Sequence, residues 1–288
     1  MFDISKYYEA KSLKEAKEYL NENENLKIVA GGTDVLIRIR EGKMAGISLM
    51  GISRIKELNE VSLDSDGSIH VGPMATFSKI ENDKIINEYI PYLGQAVGSI
   101  GGPQIRNIAT IGGNVCNGAT SADSASTLFC LNAKLKLESA ESERTINIED
   151  FYLGPSWVDL KPNEILTDII IEKKNYEGYS GKFMKFAQRN AMDIATIGCA
   201  VVLKTDGKII EDIRIACGVA APTPVRCINA EKMGKGMEAT PENIDKISKE
   251  ALSNTKARDS WRGSKAFRQH LVVELARRGM MELCGLKD

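Results

Sequence analysis

Two glycine pairs are where this sequence is best equipped for chemistry: Gly31-Gly32 in KIVAGGTD and Gly112-Gly113 in RNIATIGGNVCNGATSADSA. Each follows a short β-rich run and leads into small polar residues, Thr33-Asp34 after the first and Asn114 through Asn117 after the second. A backbone without Cβ atoms can approach a ligand closely and turn its N–H groups toward an anion, so the two loops together predict a diphosphate held between them. Taken singly, each pair also reads as ordinary turn punctuation. Neither loop carries GxxxxGK[ST] or GxGxxG, which removes the sequence support for the two commonest nucleotide-binding loops. The run TIGGNVCNGATSADSA reads as a structureless polar binding segment. Asp123 is its only charge. That carboxylate would repel a diphosphate but could accept hydrogen bonds from ribose or ribityl hydroxyls; its plainer role is a helix cap or Asx turn.

Other chemistries find little to draw on. The only two histidines, His70 in SIHVG and His270 in the C-terminal stretch, read as structural. Six scattered cysteines include no CxxC pair that could grip zinc or an iron–sulfur cluster, and read as reduced, mostly buried thiols. No catalytic side chain and no metal ligand is assigned, so redox or group-transfer chemistry would have to be carried by a bound group. The 288 residues, 43% hydrophobic and 27% charged with a formal net charge of -1, describe a soluble globular protein of about two domains. A balance this neutral gives no footprint for nucleic acid. The start, MFDISKYYEAKSLKEAKEYL, lacks a basic region followed by an apolar stretch, and no long uncharged apolar run follows; a cytoplasmic location without membrane contact is expected.

The elements that must position these loops follow from periodicity. SLKEAKEYLNEN has helical spacing, with Ser12 as N-cap and Glu15 at the capping-box position, and LKIVA reads as a buried strand that ends at the first glycine pair. Thr33 or Asp34 is placed to cap a turn of helix through VLIRIR. SIHVG is a strand, a helix begins near Thr76 or Ser78, and a further helix stops at Gly101-Gly102-Pro103. AKLKLES, TINIEDF and EILTDIIIEK are strand-like, and NYEGYSG marks a boundary. Three strands follow, with Asp206-Gly207 as a hairpin turn, and then helices, one with Thr240 before Pro241 and one through SKAFRQHLVVELARRGMMEL. The fold class is α+β, with residues 1–175 as one domain, subdivided at about 58 and 59, and 176–288 as a second, smaller α+β domain built on a three-stranded antiparallel sheet and helices.

The segments KIVAGGTD, PQIRNIATIGGN, NGATSADSA, KFAQRNAMDIATIG, GVAAPTPVR and SWRGSKAFRQHL together resemble the FAD-binding subunits of the xanthine dehydrogenase group of molybdenum hydroxylases, a fold shared with the medium subunit of aerobic carbon monoxide dehydrogenase and related to vanillyl-alcohol-oxidase-type FAD domains. The resemblance runs over nearly the whole chain. It implies FAD lying extended between the two subdomains of the N-terminal domain. Lys27, Ile28, Val29, Ala30, Gly31, Gly32, Thr33 and Asp34 match the first FAD loop; Gly101, Ala109, Thr110, Gly113, Asn114, Cys116 and Asn117 match the second contact region, with Asp123 as its carboxylate. Ile165, Leu166 and Lys185 match contacts nearer the flavin ring, Lys185 having a solvated surface lysine as its plainer reading. Asn117 and Ala122 stand where relatives can carry hydroxyl residues, which weakens hydrogen bonds there.

The implied activity is electron transfer. A large molybdopterin subunit would oxidise a substrate, a small subunit with two 2Fe–2S clusters would relay the electrons, and FAD here would pass them as hydride to NAD+, in a dimer of heterotrimers. Xanthine is the substrate the resemblance favours, with nicotinate, carbon monoxide and aromatic acyl-CoA hydroxylases using the same module and a ferredoxin or quinone able to replace NAD+. A non-catalytic nucleotide-binding assembly protein and a self-sufficient vanillyl-alcohol-oxidase-type enzyme are the readings from other classes.

Overall fold

In the computed structural model, which describes residues 2–23 and 25–287, three larger sheets succeed one another along the chain, beside one two-stranded sheet. The first is parallel, with β1 (Ile4–Glu9), β2 (Leu26–Val29) and β3 (Ile47–Gly51) in the order β1-β3-β2. Helices Leu13–Glu22 and Val35–Arg40 make its crossovers. Ser12 caps the first of these by accepting from Glu15 N, while the Glu15 carboxylate reaches back to Lys11 N. Because β2 is an edge strand, it is less buried than its apolar letters suggest: Val29 is buried, Leu26 and Ile28 are half-buried and Lys27 is exposed.

Next comes an antiparallel sheet. It contains β4 (Val61–Leu63), β5 (Ile69–Val71), β6 (Lys134–Glu138), β7 (Glu143–Asn147) and, after the small hairpin of β8 (Tyr152–Gly154) and β9 (Trp157–Val158), β10 (Ile165–Ile171). The order is β4-β5-β10-β6-β7. A helical insertion between β5 and β6 covers one face, and there the expected structureless segment turns out to be ordered: it forms helices Ile111–Cys116 and Asp123–Cys130 joined by a turn. Small Ala, Ser and Thr side chains are what allow every residue of Asp123–Cys130 to be buried. Read from the sequence alone, those residues look like loop formers; tertiary packing overrides that preference.

The last sheet, β11 (Ser180–Phe186), β12 (Ile197–Thr205), β13 (Ile210–Gly218) and β14 (Val225–Arg226), is antiparallel in that order. The expected three strands are present, with Asp206-Gly207 at the hairpin and Gly207 at φ 92°, and a two-residue fourth strand is added. Strand alternation splits its two faces between two cores. Phe183, Ala200, Val202 and Ala216 join the core beneath helix Asp123–Cys130, while Cys199, Val201, Ile215 and Cys217 face helices Ile228–Gly234, Pro241–Glu250 and Lys265–Leu283. The segment around NYEGYSG is pinned from both sides: Arg214 donates to the carbonyls of Cys130 and Asn175 at 3.0 and 2.9 Å, and the Tyr179 hydroxyl bonds Asp212 at 2.8 Å. His70 is held in β5 between carboxylates, 2.5 Å from Asp168 and 3.3 Å from Asp64, outside the glycine-loop site. Among the described residues no helix is long and apolar enough to cross a membrane.

Candidate functional site

The two glycine loops meet because one glycine of each pair permits close packing of chain on chain. A Cβ at Gly31 would overlap the carbonyl of Ile108, and one at Gly112 would overlap Pro73. The plain turn-and-packing role is therefore real for these two. The second glycine of each pair differs. Gly32 adopts φ 72°, a left-handed conformation that side chains rarely take, and a Cβ at Gly113 would meet only the Thr110 hydroxyl, at 3.0 Å.

The loops are not equivalent as anion donors. Among the described residues no protein acceptor engages the main-chain N–H groups of Gly32, Thr33 and Asp34, three successive donors on the cavity-lining first loop. In the second loop the N–H groups are spent internally: Ile111 on Ala75, Gly112 on Pro73, Gly113 on the Thr110 hydroxyl at 3.1 Å and Asn114 on Thr110. The expectation that both pairs offer N–H groups is thus corrected; the second supplies close approach and polar side chains. Asp34 occupies the N-cap position of helix Val35–Arg40 without making a cap bond. Burial holds its carboxyl above the usual range, against the pull of Arg38.

Between the loops lies a cavity of about 660 Å³, within the range of small-molecule and cofactor sites. Its wall includes Lys27, Ile28, Ala30, Gly31, Gly32, Thr33 and Asp34 from the first loop and Gly101, Ala109, Thr110, Gly113, Asn114, Cys116, Asn117 and Asp123 from the second region. Ile165, Leu166 and Lys185 complete the set. Val29 alone among the anticipated positions is turned away, its side chain buried with Ile39 and Leu49 by the alternation of β2. Asn117 makes no side-chain hydrogen bond among the described residues, and Ala122 stands at the N-cap of helix Asp123–Cys130 with nothing to accept a bond. Burial pushes the Cys116 thiol up to about 12, which makes it an apolar wall rather than a nucleophile.

Deep in the cavity wall is a buried ion pair. Lys185 Nζ lies 2.6 Å from Asp123 Oδ2 and 3.2 Å from the Ser99 carbonyl, with the side chains of Lys185 and Asp123 only 13% and 6% exposed. The surface reading of Lys185 is excluded by this placement. Asp123 Oδ1 is buried and has no partner among the described residues. Burial raises the Asp123 carboxyl to about 6, with the Lys185 charge and hydrogen bond opposing the rise. An unpartnered acceptor on a residue of the cavity wall fits a ligand hydroxyl or N–H.

The C-terminal domain closes the cavity with residues not anticipated as site residues: Arg189, Met192, Asp193 and Ile194 between β11 and β12, and Trp261 and Arg262 before the last helix. The motifs KFAQRNAMDIATIG and SWRGSKAFRQHL pointed at these segments, but neither has a spacing that assigns a role to a residue. Met192 has φ 55°, and the Arg262 guanidinium lies 4.1 Å from the Trp261 ring centroid. Arg38, Pro73, Met74 and Phe77 were also unanticipated, being brought to the wall only by the meeting of the first two sheets.

Comparison with known proteins agrees with this architecture. The profile of the FAD binding domain in molybdopterin dehydrogenase matches residues 2–174, and that of the CO dehydrogenase flavoprotein C-terminal domain matches residues 182–283. The chain is 39% identical over 282 residues to the xanthine dehydrogenase FAD-binding subunit of Escherichia coli O157:H7, covering 98% of this chain and 97% of that one. It is 30% identical over 277 residues to the glyceraldehyde dehydrogenase medium chain of Sulfolobus acidocaldarius, covering 96% and 97%. A chain of the carbon monoxide dehydrogenase of Hydrogenophaga pseudoflava superposes with a TM-score of 0.93 at 26% identity, covering 99% of both chains. With matches along almost its entire length, and a cavity lined by residues whose N–H groups and carboxylate oxygen are left unengaged among the described residues, the chain belongs to the family of FAD-binding flavoprotein subunits of the molybdenum hydroxylases.

Proposed function

We propose that this chain is the flavin subunit of a xanthine dehydrogenase, receiving electrons from the 2Fe–2S clusters of a small partner subunit, themselves fed by purine oxidation on a large molybdopterin subunit, and delivering them as hydride to NAD+. The observation that carries the site is that one cavity is lined both by Gly32, Thr33 and Asp34, whose N–H groups no described residue engages, and by Asp123, whose Oδ1 has no partner among the described residues. The choice of xanthine rests on the 39% identity to the E. coli subunit. FAD, when bound, supplies the conversion between one-electron and two-electron transfer.

The residues then have distinct tasks. The Gly32–Asp34 segment takes the diphosphate, with Gly32 keeping the backbone close. Thr110 holds the second loop in shape through its bond to Gly113 N. Asn114, fixed by Ser124 Oγ at 2.7 Å, and Asn117 offer side-chain contacts. Asp123 would accept from the ligand through Oδ1, while Oδ2 orients Lys185, which would supply a positive charge toward the flavin ring. Ile165 and Leu166 keep that region apolar and exclude water. The assembly in this reading is a dimer of heterotrimers in the cytoplasm.

Purification with its partner subunits and anaerobic addition of NADH tests the reading: the flavin band near ~450 nm bleaches if the cofactor exchanges hydride with nicotinamide. A yellow protein unmoved by NADH, but bleached by purine through the partners, would move the acceptor elsewhere. A colourless protein that binds ATP would favour a nucleotide-binding assembly role.

A further inference from the structure

Two of the sequence segments, NGATSADSA and GVAAPTPVR, meet in a way that contact with FAD alone does not account for. Val219, the residue after β13, adopts φ 64°. Among the described residues it is the only β-branched one at positive φ, and a branched Cβ makes that conformation a true outlier. Such strain persists only where the surroundings over-determine it, and it gathers at functional positions. The determinants here are visible. The Val219 side chain packs against the core beneath the C-terminal helices, and its N–H donates to the Thr120 carbonyl at 2.9 Å. In return the Thr120 hydroxyl donates to the Ala221 carbonyl, also at 2.9 Å.

Thr120 stands at the corner of a turn closed by the Ala122 N–H on the Ala119 carbonyl at 3.0 Å, and Asp123 follows directly. Ala119, Ser121, Ala122 and Asp123 line the cavity; Thr120 is not on its wall and bonds outward to residues 219 and 221. The third sheet is cleared to receive this turn. Lys185, Gly198 and Gly218 are directly opposite one another across β11, β12 and β13, so they share one face. A Cβ at Gly218 would come within 3.1 Å of the Thr120 carbonyl, and one at Gly198 within 3.6 Å of Asp123 Oδ1. The only side chain in the row, Lys185, holds Asp123 Oδ2 at 2.6 Å.

We infer that the Gly218–Ala221 segment is a latch by which the C-terminal domain sets the direction of the cavity carboxylate, so that Thr120 and Val219 are positioning residues acting on FAD through Asp123. The inference rests on the reading of Asp123 as a contact to FAD and adds what aims it. Lys185 holds one carboxylate oxygen from the sheet, and the latch holds the main chain three residues earlier. With both ends fixed, Oδ1 is kept where a ligand hydroxyl or N–H can reach it.

The test is FAD titration of the full-length flavin-free chain, followed by flavin fluorescence, in Thr120→Val, Thr120→Ser and Gly218→Ala, each alone and combined with Asp123→Asn. Thr120→Val keeps the side-chain shape but removes the donor to Ala221, and should weaken FAD about tenfold, the upper end for one neutral hydrogen bond. Thr120→Ser keeps the hydroxyl and should stay within about twofold of the wild type. Gly218→Ala crowds the Thr120 carbonyl and should also weaken FAD. In the Asp123→Asn background neither Thr120→Val nor Gly218→Ala should cost anything more, because changes that act through one shared group do not add. Equal losses in both backgrounds would overturn the latch and leave the segment as general support for the loop; wild-type affinity in Thr120→Val would overturn it as well. Should Thr120→Val fail to fold, Gly218→Ala decides by the same criteria. Wild-type affinity in Asp123→Asn is a separate failure, which removes the carboxylate as a FAD contact and the latch with it. A weakened Asp123→Asn beside additive Thr120→Val spares the contact and sinks only the latch.

Discussion

Replacing Asp123 by Asn separates two roles that one side chain performs. Oδ2 receives Lys185 at 2.6 Å, and Oδ1 is buried with no partner among the described residues. If Oδ1 accepts from FAD, losing its charge removes one charge-assisted hydrogen bond, about 1.5 to 3 kcal/mol, or roughly 10- to 150-fold in affinity. The same change strips Lys185 of its counter-ion. The ammonium keeps only the Ser99 carbonyl at 3.2 Å, so the chain free of flavin should lose about 3 kcal/mol, the low end for breaking a buried pair. Asp123→Asn combined with Lys185→Met should recover most of that stability, because no lone buried charge remains, while leaving FAD binding weak. Titration of FAD into the flavin-free chain, followed by flavin fluorescence, measures the first quantity and urea unfolding the second. An FAD dissociation constant within twofold of wild type in both Asp123→Asn and Asp123→Ala would refute the ligand role and leave Asp123 as an internal strut.

The glycine pairs make a contrast. Gly31→Ala drives a methyl group into the Ile108 carbonyl and should lower the melting temperature whether or not FAD is present, an overpacking cost at or above ~3 kcal/mol; an unchanged melt would contradict the chain-on-chain contact. Gly32→Val and Gly113→Val should instead give folded protein with little flavin, since Gly32 needs φ 72° and Gly113 lines the wall; full flavin occupancy in both would remove the loop assignment. Thr110→Ala removes the hydroxyl that accepts from Gly113 N and should cost about 1 kcal/mol, read by urea unfolding, with a comparable loss in FAD affinity; no change in either would mean the second loop is held by its neighbours alone. The Asp123 carboxyl also gives a pH signature. Its folded value, about 6, lies above the ordinary 3.8, so its contribution to the flavin-free chain is fully present below about pH 4 and is lost as pH rises through 6. Subtracting the Asp123→Asn stability curve isolates this slope, up to about 1.4 kcal/mol per pH unit; equal slopes in wild type and variant would place the proton elsewhere.

What the sequence made legible was local. Ser12 was readable as a cap, and helix starts were readable near Thr76 and Thr240, whose hydroxyls each serve an N–H three residues on; Asp206-Gly207 was readable as a hairpin because its geometry is written in two letters. The loop residues around the cavity were readable for the same reason, helped by family likeness. Three features depended on packing between distant elements and were not. Helix Asp123–Cys130 carries small polar residues that local rules assign to loops; burial against β12 and β13 makes it a helix. Val29 belongs by motif to the first FAD loop, yet the two-residue period of a strand turns it from the cavity. The second glycine loop could not be told from the first, because Pro73 and Ala75, which take the N–H groups of Gly112 and Ile111, lie well upstream.

The third sheet contributes one face to each of two cores, and this changes what the break near residue 176 means. Cutting the chain there would leave Phe183, Ala200, Val202 and Ala216 facing water on one fragment and helix Asp123–Cys130 bare on the other, each an aggregation-prone surface. The two sequence domains are therefore expected to unfold as a single cooperative unit. Exchange of this C-terminal portion between relatives would have to carry helix Asp123–Cys130 with it, so the transplantable module is larger than the sequence boundary suggests.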